Sequence, residues 1–220
     1  MIKKNMQTIN RKNGMQLAGA VMAWISVIIQ FILMINNRVA PIPETVIRFF
    51  SFFTILTNTL VAITFTSLIG MPGNKWKRFF SKTATFTAIT VYIVLVGIVY
   101  NLVLRWQWQP TGLQKWVDEM LHLVIPLFVL IYWYFFVLSS DPKWKDALRW
   151  MWYPFVYCIY ILIRGSFSDF YPYPFMNVNE LGYTKVLINC VYVTLAFFAV
   201  AVLLIGIGKM TGKKDRKSVV

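Results

Sequence analysis

The chain has 220 residues, is 58% hydrophobic and 17% aromatic, and carries a formal net charge of +14. Because soluble domains are usually about 45–50% apolar, the composition excludes an ordinary soluble domain and indicates an integral membrane protein with one domain, residues 1–220. The two cysteines, Cys158 and Cys190, both lie in apolar segments, and their spacing predicts neither a disulfide framework nor a metal site.

Six apolar segments approach the roughly 20 residues that an α-helix needs to cross a hydrocarbon core of about 30 Å. They cover residues 15–35, 47–71, 83–104, 119–138, 150–162 and 186–207. The first follows a basic stretch but is too long for a signal-peptide core, so we predict a retained signal-anchor. The fifth is short, contains Pro154, and needs the aromatic residues at its start as an interfacial anchor. The sequence therefore predicts an all-α polytopic membrane protein with six transmembrane helices.

Basic residues alternate regularly between the two sides of these segments. Sixteen of the 22 lysines and arginines flank one side, and the remainder flank the other: Arg38, Arg48, Arg105, Lys115, Arg164 and Lys185. By the positive-inside rule, we predict that both termini are cytoplasmic, including a basic tail at residues 210–220. Contact of the basic flanks with anionic lipid headgroups accounts for the net charge, so no nucleic-acid partner is predicted.

The second segment carries a row of polar side chains within an apolar stretch. At about 100° per residue, Arg48, Ser51, Thr54 and Asn58 fall within an arc of roughly 120° on a continuous helix. Polar groups inside a membrane are costly, and a row on one side indicates a bundle interior or a water-filled cavity. Asn101 adds a further polar group near the outer end of the third segment, whereas the inner halves of the segments hold few comparable groups.

The only histidine of the chain, His122, lies near the outer end of the fourth segment. Asp118 precedes it by four positions, and Glu119 by three, so both carboxylates can reach its ring in a helix. Pro126 follows by four positions and has no N–H for the carbonyl of His122, so we expect a bend there. An imidazole beside a carboxylate in an apolar site fits a general base. Thr54, at a similar depth, fits the nucleophile, and Asp118 fits the group that orients the ring.

The same residues also fit structural roles. A histidine inside a membrane can serve as a hydrogen-bond partner between helices, and Asn58 can hold two helices together in the same way. A threonine such as Thr54 often donates to the carbonyl four positions earlier. From the residues alone, these alternatives stay open.

Three short motifs resemble a known group of membrane proteins. They are Phe52-Phe53-Thr54 with Asn58, Leu121-His122 with Pro126, and Tyr171-Pro172-Tyr173-Pro174-Phe175. In segment order they resemble a six-helix bacterial membrane family of unknown function and, more distantly, the animal androgen-induced membrane proteins. Those are threonine hydrolases that cleave fatty-acid esters of hydroxy fatty acids. The resemblance matches Thr54 to the nucleophile and His122 to the histidine. It matches Tyr173, Pro174 and Phe175 to the Tyr-Pro-Phe of the last outer loop. The spacing differs, because Pro126 follows His122 by four positions instead of five.

The leading hypothesis is therefore a lipid-ester hydrolase in a bacterial plasma membrane. It predicts Thr54, His122 and Asp118 as catalytic residues, with Asn58 as an oxyanion contact. Further substrate contacts are predicted at Ser51, Asn101, Tyr173 and Phe175. The partners would be membrane lipid and a lipid-like substrate, with no metal or cofactor. A lipid-binding protein or transporter would use the same polar pocket, and a transporter would also need a water path through both leaflets. A scaffold would need the polar groups only for helix contacts.

Overall fold

The computed structural model describes residues 2–70 and 73–215, and within them the chain is helical with no β-strand. Ten α-helices follow one another in this part of the chain. They are α1 (Ile2–Asn36), α2 (Ile42–Phe49), α3 (Phe53–Ile69), α4 (Lys75–Phe80), α5 (Thr83–Val99), α6 (Gly112–Glu119), α7 (Ile125–Phe136), α8 (Trp144–Trp150), α9 (Trp152–Ser168) and α10 (Val178–Asp215). A π-helical turn, Tyr100–Leu104, extends α5, and another, Met120–Val124, joins α6 to α7.

Several of these helices are long and apolar enough to cross a membrane. In the described part of the chain there are four such spans: Ile9–Asn36, Thr83–Leu104, Gly112–Phe136 and Val178–Thr211. Helices α2 and α3 make a fifth if the bent pair counts as one span. Many large apolar side chains on these helices point outward, among them Leu102, Phe135 and Leu203. This arrangement fits a multi-pass integral membrane protein.

The predicted fifth segment, residues 150–162, differs from the prediction of a full span. It forms α9, which has 17 residues. At about 1.5 Å per residue this helix extends roughly 26 Å, less than the hydrocarbon core of about 30 Å. Six full spans are therefore not found, and the cytoplasmic placement of the termini stays a prediction. Helix α10 continues to Asp215, so it includes the start of the predicted basic tail, while residues 216–220 lie outside the described residues.

The predicted second segment is bent, because α2 and α3 meet at 71°. Phe52 adopts an extended conformation between them (φ −80°, ψ 123°). The carbonyl of Ser51 accepts a hydrogen bond from the Tyr157 hydroxyl at 2.8 Å, so the backbone at the bend is satisfied from α9. The prediction of one continuous helix was wrong here, and Arg48 does not share a helix face with Thr54.

Helices α3 and α5 form the centre of the bundle. Helix α3 packs against α1 and α5, and α5 also packs against α7 and α10. Most residues of α5 are buried, which agrees with its position among these three neighbours. Thr54 lies at the start of α3, and the π-helical turn at the end of α5 faces the turn that carries His122. The packing of α3 and α5 therefore places the predicted site residues at one end of the bundle.

Candidate functional site

A large cavity opens at this end of the bundle. It has a volume of about 940 Å³, near the upper end of the range of about 300–1,000 Å³ that is common for small-molecule sites. Its walls come from α1, α2, α3, α6, the end of α5 and the connections at residues 107–111 and 170–174. Four of the predicted site residues line it: Thr54, Asp118, His122 and Tyr173. Ser51, Asn58, Asn101 and Phe175 are not among the described residues that line it.

Thr54 lies in the first turn of α3, a position that the sequence analysis did not predict. Its backbone N–H donates to the hydroxyl of Tyr173 at 3.2 Å, and its Oγ1 lies 3.4 Å from the same hydroxyl. The first N–H groups of a helix lack partners within the helix, and the helix dipole favours negative charge there. The bend before α3 therefore gives Thr54 an environment that stabilises an anion near its side chain.

The Tyr173 hydroxyl belongs to the segment between α9 and α10. Burial raises the pKa of Tyr173 above its ordinary value of 10, so the hydroxyl stays protonated and keeps a hydrogen to donate. The Phe175 ring stacks on the Tyr173 ring, with 5.3 Å between centroids and 5° between planes. Phe175 thus supports Tyr173 and does not line the large cavity itself.

His122 is fixed on both sides of its ring. Nδ1 lies 2.9 Å from the backbone carbonyl of Asp118, and the Tyr100 ring stacks on the imidazole at 3.8 Å between centroids. A carbonyl can only accept, so Nδ1 carries the proton and the Nε2 of a neutral imidazole is the basic nitrogen. No hydrogen bond of Nε2 is found within the described residues. The ring is therefore oriented as a general base would be, and it lines the cavity.

The carboxylate of Asp118 is held by three donors. It accepts hydrogen bonds from the Tyr100 hydroxyl at 3.1 Å, the Trp108 indole at 2.7 Å and the Gln114 amide at 3.3 Å. The carboxylate Oδ1 of Asp118 lies 4.0 Å from Nδ1 of His122, whereas the backbone carbonyl oxygen of Asp118 lies 2.9 Å from the same nitrogen. Asp118 thus orients His122 through its main chain and, through Tyr100, from the face of the ring.

The π-helical turn Met120–Val124 leaves two backbone carbonyls without helix partners. The N–H of Ile125 donates to the carbonyl five residues back, instead of to Leu121. Pro126 has no N–H to offer to either Leu121 or His122. Both carbonyls therefore need donors from outside the helix, since buried carbonyls without partners are destabilising.

Two asparagines from neighbouring helices supply those donors. The Asn58 amide donates to Leu121 at 3.3 Å, and the Asn101 amide donates to His122 at 3.1 Å. Each amide also donates to the carbonyl four positions earlier in its own chain, at 2.9 Å for Asn58 and 2.8 Å for Asn101. Because an amide nitrogen has two hydrogens, the side-chain nitrogens of both asparagines are fully used in joining α3 and α5 to the turn that carries His122.

A glycine allows this close approach of α5. A Cβ added to Gly97 would lie 3.1 Å from the His122 carbonyl and 3.2 Å from Cβ of Pro126. Any larger residue would push the two helices apart. Gly97 therefore contributes to the position of His122 without touching its ring.

Ser51 stabilises the bend between α2 and α3. Its Oγ donates to the carbonyl of Ile47 at 2.7 Å, and it lies 3.3 Å from the hydroxyl of Tyr160. Near this bend, Glu44 accepts from both Arg48 at 2.8 Å and Arg164 at 2.7 Å. These contacts join α2 to α9 and hold the start of α3, so Ser51 acts on Thr54 through the backbone.

A second, smaller cavity also reaches Thr54. Its volume is about 70 Å³, and its lining is mainly apolar. It shares four lining residues with the large cavity: Thr54, Tyr100, Leu104 and Tyr173. His122 is absent from its described lining. Thr54 therefore lies in the wall of both cavities, which differ in size and polarity.

The sequence predicts Thr54 and His122 as site residues, but several residues that contact or support them were not predicted. Gln114 precedes Asp118 by four positions, so its hydrogen bond was readable from helix periodicity. Tyr100 and Trp108 come from a turn and a loop whose geometry has no local sequence signal. In the described part of the chain, no group of three or more His, Cys, Asp or Glu side chains is placed to hold a metal ion.

No known protein family, curated protein or solved structure matches the chain. The cavity and the residues that line it are therefore the basis for proposing a function.

Proposed function

We propose that the protein is an intramembrane hydrolase of fatty-acyl esters, with Thr54 as nucleophile and His122 as general base. One observation carries the proposal: Thr54 and His122 come from different helices and line the same cavity. The side-chain amide of Asn58 donates to both the Thr54 and the Leu121 carbonyls, which keeps these two backbone segments close. The motifs around Thr54, His122 and Tyr173 that resemble membrane threonine hydrolases support the same roles.

The reaction proceeds in two halves. Thr54 Oγ1 attacks the ester carbonyl carbon while its proton passes to Nε2 of His122. The bond from that carbon to the alcohol oxygen breaks, and the alcohol takes the proton from His122. Water then attacks the acyl ester of Thr54, with His122 accepting its proton. The acid leaves, and the proton returns to Thr54 Oγ1.

Negative charge develops on the carbonyl oxygen in both halves. The Tyr173 hydroxyl, next to Thr54, is the nearest donor for this oxyanion, and the N-terminal dipole of α3 adds a favourable field. Tyr173 fits this role better than Asn58, because both amide hydrogens of Asn58 are donated to backbone carbonyls. Asn58 and Asn101 are therefore assigned as positioning residues.

The substrate is an ester from the surrounding lipid. The cavity combines a largely apolar wall with a few polar groups at one end of a membrane bundle. Such a site suits a molecule with an apolar body and one polar reacting group. By the distribution of basic residues, this end faces the exterior of a bacterial plasma membrane.

The test is hydrolysis of p-nitrophenyl esters by the purified protein in lipid nanodiscs. Thr54→Val and His122→Gln should each lower kcat/KM by about a thousandfold or more. Thr64→Val is the matched control, because Thr64 lies on the same helix and donates only to the Leu60 carbonyl. It should retain wild-type turnover. Equal activity of Thr54→Val and Thr64→Val would overturn the proposal.

A lipid-binding protein without catalysis is the second candidate. It is favoured by one observation, that Thr54 Oγ1 has Tyr173 and not His122 as its neighbour within the described residues. On this account the wild type would bind p-nitrophenyl hexanoate with no turnover, and Thr54→Val would bind it equally well. A transporter is less suitable, since the large cavity lies at one end of the bundle, whereas polar side chains at the other end, such as Gln16 and Tyr132, bond to each other.

A further inference from the structure

We infer that the acyl chain of the ester lies in the small cavity and the alcohol part in the large cavity, so that the enzyme selects short acyl chains. This inference rests on the proposed function, because it assigns Thr54 the attack on the ester carbon. It adds the orientation of the substrate and the class of acyl group that the site accepts.

The position of Thr54 allows only two orientations. An ester has two arms, which extend from its carbonyl carbon and from its alcohol oxygen. When Thr54 attacks, that carbon must lie next to Oγ1, and Thr54 belongs to the wall that the two cavities share. One arm then extends into the space of about 940 Å³ and the other into the space of about 70 Å³.

The position of His122 determines which arm of the ester occupies each cavity. The alcohol oxygen must receive a proton from Nε2 of His122 as the carbon–oxygen bond breaks. Because His122 lines the large cavity and not the described wall of the small one, that oxygen lies on the side of the large cavity. The acyl arm is left with the small cavity.

The small cavity limits the length of the acyl chain. One water molecule needs roughly 10–15 Å³ of such volume, so about 70 Å³ holds roughly five to seven groups of that size. A methylene group is similar in size to water, which gives an acyl chain of about six carbons. The walls suit such a chain, since Val96, Met176, Val193 and Phe197 are among them and both thiols, Cys158 and Cys190, lie in the lining.

The experiment compares two ester series on the full-length wild type in nanodiscs. In the first, p-nitrophenol is fixed and the acyl chain grows from acetyl to hexadecanoyl. We expect kcat/KM to peak near six carbons and to fall at least tenfold by ten. In the second series, hexanoate is fixed and the alcohol grows from butanol to hexadecanol. The large cavity accommodates these alcohols, so turnover should change by less than about threefold.

Two substitutions then move the optimum in opposite directions. Met176→Ala enlarges the small cavity and should shift the best acyl chain longer by about two to three carbons. Val193→Phe fills the cavity and should shift it shorter. The matched controls are Met34→Ala and Val39→Phe, which make the same changes in residues that line only the large cavity. They should leave the acyl optimum in place.

The outcomes separate this inference from the proposed function. If no ester is cleaved by the wild type, the proposed function fails and this inference falls with it. If esters are cleaved through Thr54 but Met176→Ala and Val193→Phe leave the acyl optimum unchanged, only the inference is overturned. An optimum that shifts with Met34→Ala would place the acyl chain in the large cavity and would also overturn it.

Discussion

The two ends of the bundle use polar side chains in different ways. At the end opposite the cavity, polar groups on neighbouring helices bond to one another. The pairs are Gln16 with Tyr132 at 2.8 Å, Trp133 with Thr87 at 2.9 Å and Trp24 with Thr66 at 3.0 Å. These groups are more numerous than the sequence analysis expected for the inner halves of the segments. These paired groups bond to one another and do not line the large cavity.

At the cavity end, the polar side chains mostly support backbone groups that the helices cannot satisfy. Asn58 and Asn101 bond to carbonyls of the π-helical turn, and Tyr173 accepts from the N–H of Thr54. Thr54 and His122 are left facing open space. Polar side chains occur at both ends of the bundle, so their number does not distinguish the cavity end. The cavity end differs because its helices are interrupted, side chains bond to the backbone carbonyls left without helix partners, and the residues there line a cavity.

Removing a side chain that bonds to an otherwise unsatisfied backbone carbonyl should lower stability more than removing one partner of a side-chain pair. Asn58→Leu leaves the buried Leu121 carbonyl without a donor and should lower the free energy of unfolding by about 2–3 kcal/mol. Gln16→Leu, at the opposite end, removes one bond to a hydroxyl and should cost about 0.5–1.5 kcal/mol. Thermal unfolding of both variants in the same detergent measures the difference. Equal losses would contradict the distinction between the two ends.

Close packing at the cavity end gives a second, somewhat smaller effect. Gly97→Ala places a Cβ 3.1 Å from the His122 carbonyl, so α5 must shift and stability should fall by about 1–3 kcal/mol. Gly206→Ala is the matched control, because its nearest atom, on Trp144, lies at 3.8 Å, an ordinary contact. That variant should be as stable as the wild type or slightly more stable. Ester turnover should fall in Gly97→Ala and stay unchanged in Gly206→Ala.

The smallest effects should separate stability from turnover. Trp108→Phe removes the 2.7 Å bond to the Asp118 carboxylate, which loosens the support of His122. We expect turnover to fall about tenfold, equivalent to about 1.4 kcal/mol. Trp133→Phe makes the same chemical change at the opposite end and should lower stability by about 0.5–1.5 kcal/mol with turnover unchanged. If both variants lose turnover equally, the two ends are not functionally distinct.

Much of the bundle follows from residue patterns, because apolar length and helical spacing are local properties. The spans that contain Thr54 and His122, and the hydrogen bond between Gln114 and Asp118, could be read in this way. The bend at Phe52 could not, since no glycine or proline marks it. At the bend, the hydroxyl of Tyr157, from a segment distant in sequence, donates a hydrogen bond to the carbonyl of Ser51.

The roles of the asparagines show the same limit. Asn58 looked like a substrate contact because it lies four positions after Thr54, on the same side of the helix. Its actual partner, the carbonyl of Leu121, becomes available only because the following turn is π-helical. Pro126 predicts an interrupted helix in the sequence. The donor that bonds to the His122 carbonyl, Asn101, is determined by tertiary packing. Local patterns therefore locate a costly group more reliably than they identify its partner.

Covalent labelling by an alkyl fluorophosphonate tests whether Thr54 is a nucleophile that His122 activates. The Thr54 oxygen would attack phosphorus and release fluoride, and mass spectrometry of the peptides would locate the adduct. We expect one adduct on Thr54 in the wild type and in Thr64→Val, with none in Thr54→Val and at least a tenfold slower reaction in His122→Gln. An adduct on another residue, or labelling of Thr54 that proceeds equally fast without His122, would contradict this expectation.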